Sequence, residues 1–283
     1  MILFSYADND MTLHHTVTEA PDDAMFPLHA HDMYEVYCFL CGQGYYTVEG
    51  HDYPLSPGSI LIMRDGETHK LHISSGRTYE RVALHFSPAL LPSDAAEYLL
   101  EPFRKRTLGQ ENMLPASPAA DRVRDMLLRI CAEDTPLQDR RCMAHAYLPA
   151  ILFEITRAVS ESGIPEPSVE GSAPHTVSGS LPGEIIEFIN RDPAAVSGVE
   201  VLEQRFGYSR SYLNRTFRQS TGVSIWEYVI LKRLTQARAA IRSGCTATVA
   251  ARNVGYTDYS SFYRQYRKRF GCTPEEEKHG GAG

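Results

Sequence analysis

The chain has 283 residues, of which 43% are hydrophobic and 22% are charged, and its formal net charge is −7 at pH 7. This composition is typical of a globular protein long enough for two domains, and no apolar run approaches the roughly 18 residues that a membrane span requires. The first residues lack the basic and apolar segments of an export signal. We therefore expect a cytoplasmic protein with no membrane partner, whose six cysteines are reduced thiols.

The N-terminal part of the chain predicts a β-domain followed by helices. Over residues 27–86, short segments rich in β-branched and aromatic residues alternate with Gly, Pro and Asp turns, as in a small barrel or sandwich. We assign residues 1–115 to this β-domain and residues 116–162 to two amphipathic helices, the second kinked near Pro149. These helices either pack on the barrel or pair with the same helices of a second chain, and a homodimer is expected.

A linker and a change of charge separate this part from the C-terminal domain. The stretch around residues 163–182 is dense in Gly, Ser and Pro, which predicts a flexible linker. Residues 1–180 hold 13 Lys and Arg against 25 Asp and Glu, whereas residues 205–271 hold 13 against two, a balance of +11. A local excess of this kind suits a phosphate backbone, so residues 183–283 are expected to bind double-stranded DNA.

The C-terminal domain contains a duplicated unit. "FGYSRSYLNRTFRQSTGVS" (206–224) and "VGYTDYSSFYRQYRKRFGCTP" (254–274) share Gly-Tyr, a Ser or Thr, an apolar pair four residues apart, an Arg, and a final Gly-x-Ser/Thr. Each copy predicts a capped helix whose apolar pair faces inward. The predicted cap and pair are Ser209 with Leu213 and Phe217 in the first copy, and Thr257 with Phe262 and Tyr266 in the second.

A short helix precedes each copy, so the pattern predicts two helix-turn-helix units. Between them, residues 223–244 predict one helix of about 20 residues, hence about 30 Å long. This length suits two recognition helices in successive major grooves, which lie about 34 Å apart. The outward side chains are of types that hold phosphates and read bases. The candidate DNA-binding residues are Arg210, Ser211, Asn214, Arg215, Arg218, Lys232, Tyr259, Tyr263, Arg264, Arg267 and Lys268.

These segments, together with "LKRLTQARAAI", resemble the AraC/XylS family of bacterial transcription regulators over about the last hundred residues. The resemblance implies promoter binding through two helix-turn-helix units on a connecting helix, with RNA polymerase as a further partner. It also implies that an N-terminal cupin-like β-domain senses a small molecule or mediates dimerisation. The sequence departs from the family pattern at Glu203, where the family has a small Ala, and at Ala247 and Ala250, where it has bulky aliphatics.

The β-domain carries candidate effector-binding residues. "PLHAHDMYEVYCFLCG" resembles the first cupin motif, with His29, His31 and Glu35, and "YPLSPGSILIMRDGETHKLHI" resembles the second, with His69. If His29 and His31 lie on one strand, they point to the same face, so imidazoles and a carboxylate converge inside the barrel. Three interpretations remain open: the four residues bind a polar effector such as a sugar, hold a first-row metal ion, or are structural groups.

The expected protein is therefore an α+β multidomain chain, with an N-terminal cupin-like β-barrel, trailing helices and a C-terminal all-α domain. Its predicted function is sequence-specific regulation of transcription, controlled by a small polar effector of the carbohydrate class, without catalysis or a cofactor. Two alternatives stay open. One is a metal-dependent cupin enzyme with a DNA-binding tail, and the other is a regulator whose β-domain only dimerises.

Overall fold

The computed structural model describes residues 1–74, 76–132, 136–161 and 180–279. The chain divides into two units. The β-unit is built from the N-terminal strands and the helices that follow them, and the helical unit is built from residues 180–279 together with the short segment Leu28–Asp32. The α+β class is thus confirmed. Most of the predicted linker, residues 163–179, lies outside the described residues. Residue Ser180 caps a helix that begins at Leu181, two residues before the predicted domain start.

The β-unit contains two antiparallel sheets. Its strands are β1 (Ile2–Ala7), β2 (Met11–Thr18), β3 (Tyr34–Cys41), β4 (Gly44–Val48), β5 (His51–Pro54), β6 (Ile60–Met63), β7 (His69–Ile73) and β8 (Tyr79–Phe86). The five-stranded sheet has the order β1-β2-β8-β3-β6, and the three-stranded sheet has the order β5-β4-β7. Strands β1 and β2 precede the predicted β region. They complete the larger sheet because β2 pairs with β8, a partner far along the chain.

The two faces of the five-stranded sheet bury different partners, because alternate residues of a strand point to opposite faces. One face, with Val36 and Leu84, packs on the helices that follow the strands. The other, which we call the inner face, carries Tyr37 and Phe39 and packs against residues of the smaller sheet such as Tyr46 and Leu71. The helices are α1 (Ala96–Arg104), α2 (Pro118–Ile130) and α3 (Leu137–Glu161).

Helices α2 and α3 therefore pack on the β-domain, one of the two arrangements that the sequence predicts. Helix α3 runs through Pro149. Helix α1 is an element that the sequence did not predict. Among the described residues, no helix has the length and hydropathy needed to cross a bilayer.

The helical unit contains two helix-turn-helix units around a shared helix. Its helices are α4 (Leu181–Arg191), α5 (Val199–Phe206), α6 (Arg210–Thr221), α7 (Ile225–Arg242), α8 (Ala247–Asn253), α9 (Tyr259–Phe270) and α10 (Pro274–His279). Both predicted units, α5 with α6 and α8 with α9, are present. Helix α7 has 18 residues, close to the predicted length.

The caps of the recognition helices agree with the sequence in one copy only. Ser209 caps α6 by accepting a hydrogen bond from the Tyr212 amide, as predicted. The prediction of Thr257 as the second cap is wrong, because Asp258 caps α9 and accepts from the amides of Ser260 and Ser261. A carboxylate has two oxygens and satisfies two unpaired amides at the start of a helix, whereas a hydroxyl at Thr257 lies one residue too early.

Candidate DNA-binding interface and effector site

Helix α7 supports both helix-turn-helix units. In its first half, Tyr228 packs in one core with Phe217 of α6, and their rings meet edge to face at 5.5 Å. In its second half, Ile241 packs in a second core with Phe262 of α9. The predicted inward pairs, Leu213 with Phe217 and Phe262 with Tyr266, are all fully buried. The two recognition helices are therefore mounted on one rigid element.

Arg233 of α7 is buried, with 5% of its surface exposed. Its guanidinium donates to the carbonyl oxygens of Pro193, Ala194 and Val196, which lie between α4 and α5, and to that of Gly255 after α8. Burial lowers the pKa of Arg233, and the backbone dipoles that it contacts compensate for the lost hydration. Arg233 contributes to the charge balance of residues 205–271, but it is not a candidate DNA contact, and its role lies inside the helical unit.

The exposed surface of α6 is basic. Of the residues predicted there, four are exposed: Arg210, Ser211, Arg215 and Arg218. Two aromatic residues that the sequence did not single out share this surface. Tyr208 stacks on Tyr212 at 4.9 Å between ring centroids, and the Arg215 guanidinium lies 5.6 Å from the Tyr212 ring. The stack restrains Arg215 on an exposed face, which suits a contact with a base edge or a phosphate.

Asn214, the other residue predicted on α6, is engaged within the helical unit. Its Nδ2 donates to the Arg210 carbonyl oxygen at 3.1 Å, and its Oδ1 accepts from the Ile225 amide at 3.3 Å. The second bond satisfies one of the unpaired amides at the start of α7. Asn214 therefore joins α6 to α7, and its amide is not presented to a base in this arrangement.

Glu203, which departs from the family pattern, contacts the start of α6. Its Oε1 accepts a hydrogen bond from the Arg210 amide at 2.6 Å. A carboxylate near the first turn of a helix satisfies an unpaired amide and interacts favourably with the helix dipole. The departure thus reinforces the capping of the recognition helix by Ser209.

Some of the candidate DNA-binding residues on α9 are exposed, and others contact neighbouring residues of the helical unit. Arg264, Arg267 and Lys268 are exposed, and Tyr263 is half-buried. The hydroxyl of Tyr259 donates to the Glu275 carboxylate of α10, which together with burial raises the pKa of Tyr259. Of the predicted set on this helix, the three exposed cations are therefore the side chains that solvent reaches most freely.

Lys232 of α7 does not lie on an exposed face. Only 5% of its surface is exposed, so the prediction of an outward side chain at this position is wrong. Four consecutive residues of α7, from Leu231 to Leu234, are buried, so about one whole turn of the helix is covered on every side.

Helix α10 brings acidic groups that reduce the basic footprint. The Glu277 carboxylate, 5% exposed, accepts hydrogen bonds from Arg238 at 2.9 Å and from Arg242 at 2.7 Å. Burial alone raises the pKa of Glu277, but hydrogen bonds from Arg238, Cys272 and Arg242 outweigh it and lower the pKa to about 2. Two of the basic residues counted between 205 and 271 therefore share a carboxylate within the helical unit.

The inner face of the β-unit contains the predicted Glu35 and His69. Glu35 is 2% exposed and His69 is fully buried, and the His69 Nε2 lies 3.3 Å from the Glu35 Oε2. His85 of β8, which the sequence did not single out, reaches the same oxygen at 3.6 Å and is hydrogen-bonded to Thr12. A buried carboxylate flanked by two imidazoles offers both donors and acceptors to a polar molecule.

His29 and His31 are not placed as predicted. Neither belongs to a strand, because both precede β3, and their ring centroids are 6.1 Å apart. The expectation of two same-face histidines on one strand is therefore wrong. Both histidines belong to the helical unit, whereas Glu35 and His69 belong to the β-unit.

Comparison with known proteins gives the family. Residues 15–148 match the model of the AraC-like ligand binding domain, and residues 202–279 match that of a helix-turn-helix domain. The chain belongs to the AraC family of transcription regulators. Two relatives are similar to this chain over most of their own length. The regulator YbfI of Bacillus subtilis is 24% identical over 83% of this chain and 80% of its own, and the transcriptional activator RhaS of Escherichia fergusonii is 23% identical over 90% and 88%.

Two solved structures align with most of the chain, both with low scores. ToxT of Vibrio cholerae O395 is 12% identical with a TM-score of 0.39, covering 98% of this chain and 100% of its own. The AraC-like activator CuxR is 15% identical with a TM-score of 0.38, covering 83% and 80%. At such scores these structures carry no argument about individual residues.

Proposed function

We propose that this AraC-family regulator controls transcription in response to a small polar effector bound at the inner face of the β-unit, with carbohydrates as the first class to test. The observation that carries the proposal is the convergence of His69 and His85 on the buried carboxylate of Glu35. A hydroxylated ligand suits such a group, because its hydroxyls both donate to a carboxylate and accept from imidazoles.

The helical unit supplies the DNA contacts in this proposal. The exposed cations of α6 and α9 supply phosphate contacts on both recognition helices, and Arg215, restrained by Tyr212, is the candidate for base readout on α6. We include in the proposal a homodimer, transcriptional activation and contact with RNA polymerase. Activation is supported by the similarity to RhaS, which is named a transcriptional activator.

The effector proposal is tested with the variant Glu35→Gln/His69→Asn in the full-length chain. We expect effector-dependent expression of a reporter to disappear, while affinity for the operator without effector stays at the parent level. The operator is first obtained by sequencing DNA selected by the purified protein, with and without sugars. If the double variant responds to effector as strongly as the parent, the effector does not bind at the inner face of the β-unit.

The DNA proposal is tested by salt dependence. Raising salt from about 50 to about 200 mM should weaken operator binding by orders of magnitude, and each lost phosphate contact should reduce the log–log slope by about one. Arg267→Ala and Lys268→Ala should show this reduction. Arg242→Ala is the matched control, because its guanidinium is held by Glu277 and its loss should leave the slope unchanged.

A metal-dependent function is the second candidate, supported by the Glu35 carboxylate and by the imidazoles of His69 and His85 that face it. Two imidazoles and a carboxylate suit a first-row divalent ion. Elemental analysis of the purified full-length protein decides between the two candidates. A stoichiometric metal that is lost in Glu35→Gln favours the metal site, and metal-free protein that still responds to effector excludes it.

A further inference from the structure

On the inner face of the five-stranded sheet, the side chains of β2, β8 and β3 are aligned in rows across the strands. Antiparallel partners lie opposite one another, so each row takes one residue from β2, one from β8 and one from β3. The rows are Thr12–His85–Glu35, His14–Ala83–Tyr37 and Thr16–Arg81–Phe39. Residues two apart on β8 share this face, so Arg81, Ala83 and His85 follow one another along it.

A small residue lies at the middle of this arrangement. Ala83 has only a methyl group, and it is surrounded by the longer side chains of His14, Arg81, His85 and Tyr37. Tyr37 is fully buried, whereas Arg81 and His14 are half-buried and the side chain of His85 is 22% exposed. The basic groups around Ala83 are thus accessible from solvent, and the aromatic group beneath them is not.

These basic groups have little compensating negative charge. Glu35 is the acidic residue in the three rows, and its Oε2 already faces His69 and His85. No carboxylate among the described residues forms an ion pair with Arg81, whose Nε is 3.4 Å from the Thr16 hydroxyl. The imbalance is visible at His14, where burial and then the charges of His85 and Arg81 lower the pKa.

The surroundings of Arg81 are polar without being anionic. The hydroxyls of Tyr37 and Tyr79 are hydrogen-bonded to each other at 2.8 Å, and the Arg81 guanidinium lies 6.0 Å from the centre of the Tyr79 ring. Phenols at neutral pH carry no charge that would neutralise a guanidinium. A planar guanidinium with available N–H groups pairs best with a carboxylate, to which it donates two parallel hydrogen bonds.

We propose that the effector carries a carboxylate, which binds Arg81 beside His14, and that its hydroxyl groups reach Glu35 and His85. The proposal rests on the effector site proposed above and names its ligand as a hydroxylated carboxylic acid, such as a sugar acid, instead of a neutral sugar. A singly charged ligand is favoured over a phosphate, because the nearby Glu35 carboxylate repels a second negative charge.

The test measures the thermal stability of the full-length protein with matched pairs of acid and neutral sugar. The pairs are glucuronate with glucose and galacturonate with galactose, and glucose 6-phosphate tests a dianion. A ligand that binds only the folded state raises the melting temperature. We expect the acids to raise it more than their neutral partners in the parent, and the difference to vanish in Arg81→Met. Arg77→Met is the matched control, because Arg77 is exposed in the loop before β8.

A minimal probe covers the case in which none of these sugars is the physiological ligand. Acetate, compared with chloride at equal ionic strength, should shift the imidazole resonances of His14 and His85 in the parent and in Arg77→Met. Arg81→Lys, which keeps the charge and the fold with a smaller change, should respond weakly, and Arg81→Met should not respond.

The results separate this inference from the function on which it rests. Neutral sugars that act as strongly as their acids, or a response that survives in Arg81→Met, overturn the carboxylate inference and leave the effector site in place. Absence of any acetate shift also overturns it. Failure of the proposed effector site has a different signature, which is effector-dependent expression that persists in Glu35→Gln/His69→Asn.

Discussion

Arg233 of α7 donates a hydrogen bond from Nη1 to the carbonyl oxygen of Gly255, at 3.1 Å, in the turn that follows α8. The same guanidinium donates to the carbonyl oxygens of Pro193 at 3.0 Å and Val196 at 2.9 Å. One side chain thus connects the loop before the first helix-turn-helix unit to the turn of the second. We infer that the spacing of the two recognition helices depends on this connection.

Replacing Arg233 should destabilise the helical unit. Arg233→Met leaves buried carbonyl groups without their donor, at an expected cost of about 2–4 kcal/mol in the free energy of unfolding. Trp226 is the single tryptophan of the chain, and its ring lies 5.5 Å from the Arg233 guanidinium. Urea unfolding followed by Trp226 fluorescence therefore reports on this region. Arg252→Met, at an exposed position of α8, is the control, and equal stability of the two variants would contradict the role of Arg233.

Substitution by alanine should be more destabilising at Gly255 than at Gly271, a glycine with a similar φ angle. Gly255 has φ +90°, and a Cβ there would lie 2.9 Å from the Ala194 Cα and 2.9 Å from the Arg233 Nη2. Gly271 has φ +75° and no atom within 4 Å of such a Cβ. Gly271→Ala should cost about 1 kcal/mol for the backbone conformation alone, and Gly255→Ala about 2 kcal/mol or more. The same fluorescence measurement checks both, and equal costs would exclude steric contact as the cause.

Asn214 and Arg215 are neighbours on α6 with different expected roles. Asn214→Ala removes the acceptor for the Ile225 amide and should lower stability by about 1 kcal/mol. Arg215→Ala should leave stability within about 0.5 kcal/mol of the parent and cost about 1–3 kcal/mol in operator affinity, with preference relaxed at particular base pairs. Binding to a set of single-base operator variants measures this. Unchanged specificity in Arg215→Ala would place base readout elsewhere on the helix.

Glu277 should make the helical unit sensitive to acid. Its pKa is lowered from 4.5 to about 2 in the folded chain, so the unfolded chain binds more protons between these values. The stabilisation is therefore present above pH 4.5 and is lost as the pH falls toward about 2. Glu277→Gln should be less stable near neutral pH and lose stability less steeply in this range. Trp226 fluorescence in urea at a series of pH values tests the difference.

The control for this pH dependence is Glu200→Gln, because the Glu200 side chain is 65% exposed and its contact with Arg210 spans 3.6 Å. An exposed pair of this kind contributes little to stability. The loss of stability of Glu200→Gln at low pH should therefore match that of the parent. If Glu277→Gln and Glu200→Gln lose stability equally between pH 4.5 and 2, acid acts on the helical unit through other groups.

The predicted parts of the helical unit are those whose signals are local. A helix with a cap and an apolar pair at i, i+4 is encoded within one or two turns, so α6, α9 and their inward pairs follow from residues close in sequence. Because the unit is duplicated, the same capped helix with an inward apolar pair occurs twice, as α6 and α9. The cap of α9 differs because Thr257 and Asp258 are adjacent candidates, and only the amides that each oxygen reaches distinguish them.

The inner face of the β-unit shows what short motifs leave out. Glu35 and His69 belong to recognisable motifs, whereas His14, Arg81 and His85 have no motif of their own. His85 lies opposite Glu35, and His14 and Arg81 share the same face, because β8 pairs with both β2 and β3 and so joins residues about 40 to 75 positions apart in the chain. A one-residue change of register would turn every one of these side chains to the other face.

From the sequence alone come the two-part organisation, the contrast of charge between the parts, the tandem helix-turn-helix units and the family. Periodicity, capping and composition act over a few residues, so they can be read without coordinates. Only the tertiary structure decided which cations are available to DNA, because burial of Lys232 and Arg233 and the pairing of Arg238 and Arg242 with Glu277 depend on the packing of α7 against its neighbours. It also decided that Arg81 and His85 share the inner face with Glu35, since strand register is set by distant partners and by which face is buried.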